Sequence, residues 1–474
     1  MELSTAQHLL ASLATDNAIS AEMHERREFA LEILPRHLLE FDCIGLAFDQ
    51  LAAAWMMCSY GQTERKHRIK PVINELLRRE MAIAKIDTRA GVPHRSTVKP
   101  HVLIVSSFLR SKHAVWRWFG PSLARLRERF QTTALCFTDL DDKAAAAFDR
   151  AIVARMQRAD FLAMTGDLFR LVRDIGPDII VFADIAMHPF GIMMANARLA
   201  PLQIALSGHP ASSYSDCVDF FACERPFADT LSDFTELPAL YPVAQMIGLP
   251  DAHADARREP GPLRILVPAT LPKLARPFVE TLGIISNQLP GAQIHITTNA
   301  RDDHFELAKI EILKLVPGAS VYPALPQEDF SFLIRQSDMF LSPFPFAGST
   351  TINDCLSRGL PGVCMTGAEM LQRQGAEQLR RFNVYAPQTV AATQAEYIEK
   401  AVSMARDVHL RDYFRSVLRA TPRDSLIMHT SPSTGLAATV ERIFNERLDR
   451  REMMRSNAPT SNAIPLAGSA PVSA

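Results

Sequence analysis

Residues 340–369 read FLSPFPFAGSTTINDCLSRGLPGVCMTGAE, and the pattern is that of a strand, a loop, a helix and a second strand. Phe340–Leu341 form a short apolar strand, and the Pro- and Gly-containing run SPFPFAGSTT predicts a loop after it. From Thr350 the apolar residues recur at helical spacing until a Gly-Leu-Pro sequence ends the helix. Gly362–Met365 then predict a second buried strand. Two short apolar strands joined through a helix indicate a parallel sheet.

The opening of this helix carries small residues of a kind that suits an anion site. Gly348, Ser349, Thr350 and Thr351 leave several backbone N–H groups free there, and the helix dipole adds partial positive charge. These features predict a binding site for a phosphate or diphosphate. Asp354, one turn further in, would accept hydrogen bonds from a ribose diol. The alternative is that Ser349 or Thr350 simply caps a helix of the core.

Length and composition indicate a protein of several domains with a large apolar core. The chain has 474 residues, of which 47% are apolar and 22% are charged. About two to four domains are expected for such a length. The net charge of -1 gives no electrostatic reason to expect nucleic acid or an anionic membrane as a partner.

The cysteines and the apolar runs favour a cytoplasmic protein. The 7 cysteines are scattered without a CxxC pair, which is typical of buried thiols in a reducing compartment. The amino-terminal residues lack a basic segment followed by an apolar core, so no signal peptide is expected. No apolar run reaches the roughly 18 residues that a membrane helix needs, so no membrane insertion is expected.

Residues 1–95 are predicted to form an all-helical domain. Apolar residues at three- and four-residue spacing predict helices at Glu22–Leu39, Ile44–Cys58 and Ile69–Ile86. The polar residues 87–99, which contain Pro and Gly, are expected to be a linker. Nothing in the helical residues indicates a particular chemistry.

From residue 98 the pattern changes to strands alternating with helices, which predicts parallel sheets covered on both faces. Residues 98–235 form the first such unit and residues 262–455 the second, with a Pro- and Ala-rich boundary at 227–262. The predicted fold class is therefore α/β, with two Rossmann-like doubly wound domains after the helical domain. The tail at 456–474 lacks periodicity and is expected to be disordered.

Three helices of these units illustrate the predicted boundaries. In the first unit, helices are expected at Pro121–Phe130 and Phe161–Ile175. The last helix, Thr434–Arg455, is expected to close the second unit.

Parallel sheets bind ligands beyond the carboxyl ends of their strands, and four loops there have unusual composition. They read SSFLRSKHAVWRW (106–118), SGHPASSYSD (207–216), PATLPKLARP (268–277) and FPFAGSTTIND (344–354). None contains a Walker motif or GxGxxG, which disfavours a P-loop kinase and a dinucleotide dehydrogenase. Two doubly wound units around a cleft with a phosphate-binding helix suggest a nucleotide-sugar glycosyltransferase.

A family resemblance supports this interpretation. The runs RLAPLQIALSGHPASSYSD (198–216) and FPFAGSTTINDCLSRGLPGVCMTGAE (344–369) resemble those of the bacterial cytoplasmic N-glycosyltransferases that modify high-molecular-weight adhesins. More distantly, they are similar to the O-GlcNAc transferases, and the likeness covers roughly residues 98–420. The resemblance implies a GT-B fold, an inverting mechanism without metal and a UDP-sugar donor. For the adhesin branch it implies glucose or galactose as the sugar and Asn-x-Ser/Thr as the acceptor.

The resemblance also assigns roles to single residues. Thr350 and Thr351 match positions whose backbone amides hold the donor diphosphate, and Asp354 matches the ribose-binding carboxylate. Lys273 falls where the family has its diphosphate lysine, whose charge would stabilise the departing UDP. His209 matches the Gly-His-Pro histidine of the N-glycosyltransferases, near the donor sugar and the acceptor.

The acceptor half departs further from the family than the donor half. His113 lies in a loop where the family has a histidine-rich acceptor-side segment, but its neighbours here are Arg110, Lys112, Trp116 and Trp118. The two tryptophans would form either a sugar or peptide platform or part of the core. Tyr214 stands where the adhesin branch has a second histidine, and Gly348 and Thr350 stand where it has Asn.

The sequence therefore predicts metal-independent, inverting transfer of a hexose, most simply glucose, from a UDP-sugar to a protein, with no cofactor. Asp139 and Asp141 have the Asp-x-Asp spacing of metal-dependent enzymes, and Asp216 and Asp219 form a looser pair, but neither pair is placed beside the phosphate loop. The candidates for a general base are His209 and His113, followed by Asp184 and His188.

Three alternatives stay open. The acceptor would be a hydroxyl of a protein, glycan or small molecule in the first. In the second, the chain is a non-catalytic GT-B scaffold subunit. The third is a sugar-phosphate epimerase or a phosphorylase, which share the two-unit architecture.

Overall fold

The computed structural model describes residues 1–41, 46–89, 99–155, 160–242, 246, 261–421 and 435–456. These residues form a helical unit followed by two parallel sheets covered with helices. Residues 457–474 of the predicted tail, most of the predicted linker and Cys43 lie outside the described residues. None of the described helices has both the length and the apolar character needed to span a bilayer.

The helical unit packs its apolar faces around Trp55, which is 1% exposed. Its helices are α1 (Leu3–Ala14), α2 (Ala21–His37), α3 (Phe48–Met57) and α4 (Ile69–Ile83). The last three agree with the predicted helices, with ends shifted by a few residues, and the sequence patterns had not singled out α1. The same core continues onto one face of the first sheet, so the helical unit is packed against that sheet.

The first sheet has seven parallel strands in the order β3-β2-β1-β4-β5-β6-β7. The strands are β1 (His101–Leu109), β2 (Gln131–Leu140), β3 (Arg150–Val153), β4 (Ile179–Phe182), β5 (Leu202–Leu206), β6 (Phe220–Glu224) and β7 (Leu237–Tyr241). The helices are α5 (Ala114–Ala124), α6 (Asp142–Ala145), α7 (Phe161–Ile175) and α8 (Pro189–Ala195). The chain reverses its direction of winding between β1 and β4, where the loops that follow these strands meet.

The second sheet has six strands in the order β10-β9-β8-β11-β12-β13. They are β8 (Arg264–Pro268), β9 (Gln293–Thr297), β10 (Ser320–Tyr322), β11 (Met339–Leu341), β12 (Gly362–Met365) and β13 (Val390–Ala391). The helices are α9 (Arg276–Gln288), α10 (Asp302–Leu315), α11 (Gln327–Gln336), α12 (Thr350–Ser357), α13 (Met370–Arg381), α14 (Gln394–Arg406) and α15 (Val408–Ala420). Winding reverses between β8 and β11, which brings the loops after these two strands together.

One predicted helix begins at the wrong residue. The pattern predicted Pro121–Phe130, whereas α5 begins at Ala114 and already contains Pro121. The His113 side chain accepts a hydrogen bond from the Val115 N–H and so caps a helix that begins before the predicted Pro121. Residues 125–128 continue only as a short 3-10 turn. The apolar side chains of α5 are consequently core residues that the prediction had left in a loop.

The last helix belongs to a different unit from the one predicted. Residues 434–455 were expected to close the second unit, but α16 (Leu436–Ser456) packs against the first sheet. Its apolar residues Val440 and Ile443 are buried in the same core as Val102 of β1. Their helical spacing gives one apolar face, and sequence periodicity cannot tell which sheet such a face covers.

Candidate functional site

The loop after β8 and the loop after β11 meet at the switch point of the second sheet. Lys273, in the first of them, donates a hydrogen bond from Nζ to the carbonyl oxygen of Ala347 at 2.7 Å. Its Nζ also lies 4.6 Å from the ring centroid of Phe346. Removal from water lowers the pKa of Lys273 to about 8. A cation is therefore held directly beside the loop that leads into α12.

The amino terminus of α12 is not capped by a side chain. Ser349 is the residue before the helix, yet its hydroxyl makes no capping bond and has no hydrogen-bond partner among the described residues. Thr351 donates its hydroxyl to the carbonyl oxygen of Pro268 at 3.2 Å, so it ties the helix to the end of β8. The simple capping alternative is therefore wrong for Ser349, and the opening N–H groups of α12 keep their capacity for an anion.

Gly348 allows the loop to lie close to this helix. A Cβ at this position would lie 2.7 Å from Cγ1 of Ile352 and 3.2 Å from Oγ1 of Thr351. The Gly348 N–H is also within hydrogen-bond distance of the Ser342 hydroxyl, at 3.3 Å. Only glycine fits here without displacing the first turn of α12.

Asp354 has a different environment from the predicted one. The prediction placed its carboxylate at the mouth, open to a ribose diol, but the residue is 1% exposed. Arg117 of α5 binds both carboxylate oxygens, at 3.0 Å and 2.5 Å. Arg358, one turn along α12, lies 4.0 Å from the same carboxylate. In this structure Asp354 therefore links the two units, because Arg117 of the first unit binds both of its carboxylate oxygens.

His209 is held in a buried pocket beside the helical unit. Gly208 precedes it, where a Cβ would lie 2.0 Å from the backbone oxygen of Ala183. The His209 side chain is 7% exposed, and its Nε2 lies 2.8 Å from Nζ of Lys70. Burial, and secondly the Lys70 charge, lower the pKa of His209 well below its usual value. His209 is therefore a neutral imidazole at physiological pH.

The other base candidates lie at the switch point of the first sheet. His113 caps α5, and burial lowers its pKa to about 4, with Arg110 adding to the effect. Asp184 is buried and accepts hydrogen bonds from the hydroxyls of Ser106 and Ser107, at 2.6 Å and 2.5 Å. His188 caps α8, and burial lowers its pKa too.

Like His188, His113 is partly exposed and has no carboxylate or hydroxyl partner among the described residues. It remains neutral at physiological pH, since its pKa lies near 4. Trp116 and Trp118 are 5% and 7% exposed and belong to the core. Of the two readings for these tryptophans, packing is the one observed, so neither offers a platform for a sugar.

Residues of the helical unit complete the site, and sequence patterns missed them. Tyr60 stacks on Phe346, with ring centroids 4.6 Å apart and planes 15° apart. The adjacent Ser59 lies with its hydroxyl 3.2 Å from Nε2 of His209. Ser59 and Tyr60 thus connect the Lys273 loop to the His209 loop. The available signal was in α4, where Lys70 lies on the buried face of the helix.

Two further residues join the helical unit to the second sheet. Lys66, which is 2% exposed, pairs with Glu369 before α13. His67 lies 3.7 Å from the same carboxylate. Lys273, His209 and the start of α12 are therefore gathered around residues 59–70, whereas His113 makes no direct contact with them within the described ranges.

The described part of the chain contains no group of three or more His, Cys, Asp or Glu side chains arranged to hold a metal ion. The Asp-x-Asp pair at 139 and 141 has other partners. Asp139 lies 3.5 Å from Arg110, and Asp141 caps α6. Asp219 pairs with Arg198 at 2.6 Å.

Comparisons with known proteins agree with this architecture. A family model described as HMW1 domain 2 matches residues 2–81, the helical unit. A UDP-glucose:protein N-beta-glucosyltransferase of Actinobacillus pleuropneumoniae serotype 5b (strain L20) is 26% identical over 405 residues. That alignment covers 81% of this chain and 63% of the relative, so the chain spans less than two thirds of that protein's length.

Two more distant likenesses were found. A probable UDP-N-acetylglucosamine–peptide N-acetylglucosaminyltransferase SPINDLY of Hordeum vulgare is 34% identical over 82 residues, 17% of this chain and 8% of the relative. A solved O-GlcNAc transferase mutant of Thermobaculum terrenum superposes with a TM-score of 0.69 at 21% identity, covering 96% of this chain and 86% of that one. The chain therefore has the GT-B fold, and the predicted resemblance to the bacterial protein N-glycosyltransferases is confirmed.

Proposed function

We propose that the protein is a glycosyltransferase that moves a hexose from a UDP-sugar to a protein acceptor. The observation that carries the proposal is Lys273 held against the uncapped start of α12. A cation and a row of free N–H groups, both at a sheet switch point, are the groups that a nucleoside diphosphate requires. The likeness to a relative named as a UDP-glucose:protein N-beta-glucosyltransferase supports glucose as the sugar.

In the proposed mechanism the donor diphosphate lies across the start of α12. The N–H groups that follow Ser349 bind its oxygens, and the Ser349 hydroxyl, which lacks a partner among the described residues, donates to it. Lys273 exchanges its bond to Ala347 for one to the diphosphate, and the added negative charge raises the lysine pKa. Negative charge that develops on the departing UDP is then stabilised by these fixed groups, the role that a divalent ion fills in other transferases.

The acceptor attacks the anomeric carbon on the face opposite the UDP, the bond between that carbon and the UDP oxygen breaks, and the configuration inverts. The proton that the acceptor loses goes to solvent water. The proposed acceptor is the amide of Asn in Asn-x-Ser/Thr, for which an ordinary general base is of little use. His113 and His209 are both neutral and buried or half-buried, so neither places a positive charge beside the acceptor. The proposal includes no metal and no cofactor.

The alternative acceptor is a hydroxyl group of serine or threonine. Tyr214 supports this alternative, because this tyrosine occupies the position of a histidine in the adhesin branch and places a phenol there. Burial raises the pKa of Tyr214 to about 12, so the phenol is a hydrogen-bond donor and not a base. The acceptor experiment must therefore contain both Asn and Ser/Thr peptides.

The test uses the full chain with UDP-glucose, UDP-galactose and UDP-GlcNAc, in the presence of EDTA. Sugar transfer to matched peptides, containing either an Asn-x-Ser/Thr sequence or only Ser and Thr, is measured by mass spectrometry. Lys273→Met is expected to reduce turnover by about 10²–10³-fold, the effect of losing one fixed group for the departing charge. Lys314→Met is the matched control, because Lys314 is 62% exposed and pairs with Glu311 of its own helix.

Two results would overturn the proposal. If no UDP-sugar binds by calorimetry, the chain is a scaffold and the α12 start is not a donor site. If a UDP-sugar is used equally by the wild type and Lys273→Met, the donor lies elsewhere in the molecule. Transfer to Ser and Thr peptides alone would support the transferase activity and would show that the acceptor is a hydroxyl group and not Asn.

A further inference from the structure

The helical unit inserts a buried cation into the site beside His209. Lys70 of α4 is 0% exposed, and its Nζ donates to Nε2 of His209 at 2.8 Å and to the carbonyl oxygen of Ser212 at 3.1 Å. The ammonium also lies 4.2 Å from the ring centroid of Trp55. These contacts are therefore to the loop that carries His209 and to Trp55 of α3.

No carboxylate pairs with Lys70 among the described residues. The charged groups around it are Lys66 and the carboxylates of Glu369 and Glu236, and these carboxylates are taken by other partners. Burial lowers the pKa of Lys70 to about 8. A cation buried without a directly paired carboxylate costs free energy, and a hydrogen bond to an imidazole returns only part of it. A leucine would pack more favourably there if the position served packing alone.

The Lys70 contact determines which ring nitrogen of His209 carries the proton. A lysine ammonium only donates hydrogen bonds, so Nε2 of His209 must be the acceptor. A neutral imidazole has one acceptor and one N–H, which places the proton on Nδ1. Nδ1 has no hydrogen-bond partner within the described part of the protein, so its N–H is left for a ligand.

We propose that Lys70 is a positioning residue that fixes His209 as the Nδ1–H tautomer and thereby makes His209 a hydrogen-bond donor to the bound donor sugar or acceptor. The role of the site rests on the proposed transferase function, but the tautomer does not. His209 then orients a ligand hydroxyl or carbonyl and does not remove a proton, because its only basic nitrogen is occupied by Lys70. The helical unit thus supplies part of the site chemistry.

The first test reads the tautomer directly. ¹⁵N spectra of the full chain with ring-labelled histidine give different shifts for protonated and unprotonated nitrogens, and the His209 signals are those lost in His209→Gln. The wild type is expected to show Nδ1 protonated and Nε2 unprotonated between pH 6 and 7.5, where burial keeps the ring neutral. A protonated Nε2 in the wild type would overturn the proposal without any variant.

The variants then separate positioning from packing. Lys70→Met, similar in length and without donors, is expected to release Nε2 and give a mixture of the two tautomers. Lys66→Met is the matched control: it removes the other buried lysine of the same unit, and His209 should keep its wild-type shifts. If Lys70→Met keeps the pure Nδ1–H form, another group fixes the tautomer and Lys70 has no positioning role.

Kinetics provide the second readout. Lys70→Met should lower kcat roughly tenfold to a hundredfold, as when an outer partner of a functional imidazole is lost, with UDP affinity unchanged. Lys70→Arg, which still donates, should recover part of kcat. Equal loss in both variants, with the tautomer intact, would show a packing effect and refute the positioning role. If no variant or wild type transfers sugar, the proposed function fails while the tautomer result stands.

Discussion

The buried ion pair between Arg117 and Asp354 should carry much of the attachment between the two sheet units. Both side chains are buried, at 6% and 1% exposure, and two hydrogen bonds join them at 3.0 Å and 2.5 Å. Asp354→Asn keeps the shape and removes the charge. Arg117, a buried cation, then faces a neutral amide in place of the carboxylate, and so does Arg358, which lies 4.0 Å from it.

Breaking one side of such a pair costs about 3–5 kcal/mol. With about 2–4 °C of melting temperature per kcal/mol for units of this size, the expected decrease is about 6–20 °C. The double variant Arg117→Met with Asp354→Leu should lose less, because Arg117 no longer remains as a buried charge without its carboxylate. Glu446→Gln is the control: its pair with Arg442 is more than half exposed on both sides, and about 0.5 kcal/mol or less is expected.

Urea unfolding followed by tryptophan fluorescence measures these differences. The chain has 3 tryptophans, and two of them flank Arg117 in α5, so the signal reports on this junction. A loss below about 1 kcal/mol in Asp354→Asn would refute the structural role given to the pair. If such a stable variant also failed to bind UDP, Asp354 would be the ribose ligand that its sequence position predicted.

Two further predictions concern Lys273 and Gly348, in the two loops that meet at the start of α12. UDP affinity should fall by up to about tenfold per pH unit above pH 8, because Lys273 is charged below its pKa of about 8 and loses that charge above it. Calorimetry should show this fall in the wild type and a flat profile in Lys273→Arg. A wild-type affinity that does not depend on pH would contradict the prediction. Gly348→Ala should weaken UDP binding by about 1–3 kcal/mol, since its Cβ would lie 2.7 Å from Ile352. Gly166→Ala, whose Cβ would meet nothing nearer than 4.0 Å, should instead stabilise α7 by about 0.5–1 kcal/mol with normal binding; equal effects of the two alanines would refute the close-approach argument.

The parallel sheets, and the meeting of the Lys273 loop with the loop that leads into α12, were predictable from the sequence because both depend on local patterns. Apolar strands alternating with helices imply switch points, and Lys273 and Ser349 follow strands that meet at one. Local rules also placed α7 with its observed ends, since Asp160 caps it and Gly176 ends it in a left-handed conformation.

The contacts between units were not predictable in this way. Asp354 looked open to a ligand because its partner, Arg117, lies 237 residues away and on another unit. Lys70 reaches His209 across 139 residues, and nothing near either residue indicates the other. The last helix, α16, was unpredictable for the same reason. Its apolar face was evident from the sequence, but tertiary packing decides which sheet that face covers.

The stacking of Tyr60 on Phe346 has a consequence for engineering. The contact joins the helical unit to the loop that leads into α12, with ring centroids 4.6 Å apart. A chimera that contains only the two sheet units would lack Tyr60, the aromatic ring that packs on Phe346. A graft that preserves the loop geometry therefore has to include Tyr60 and the helical unit that holds it.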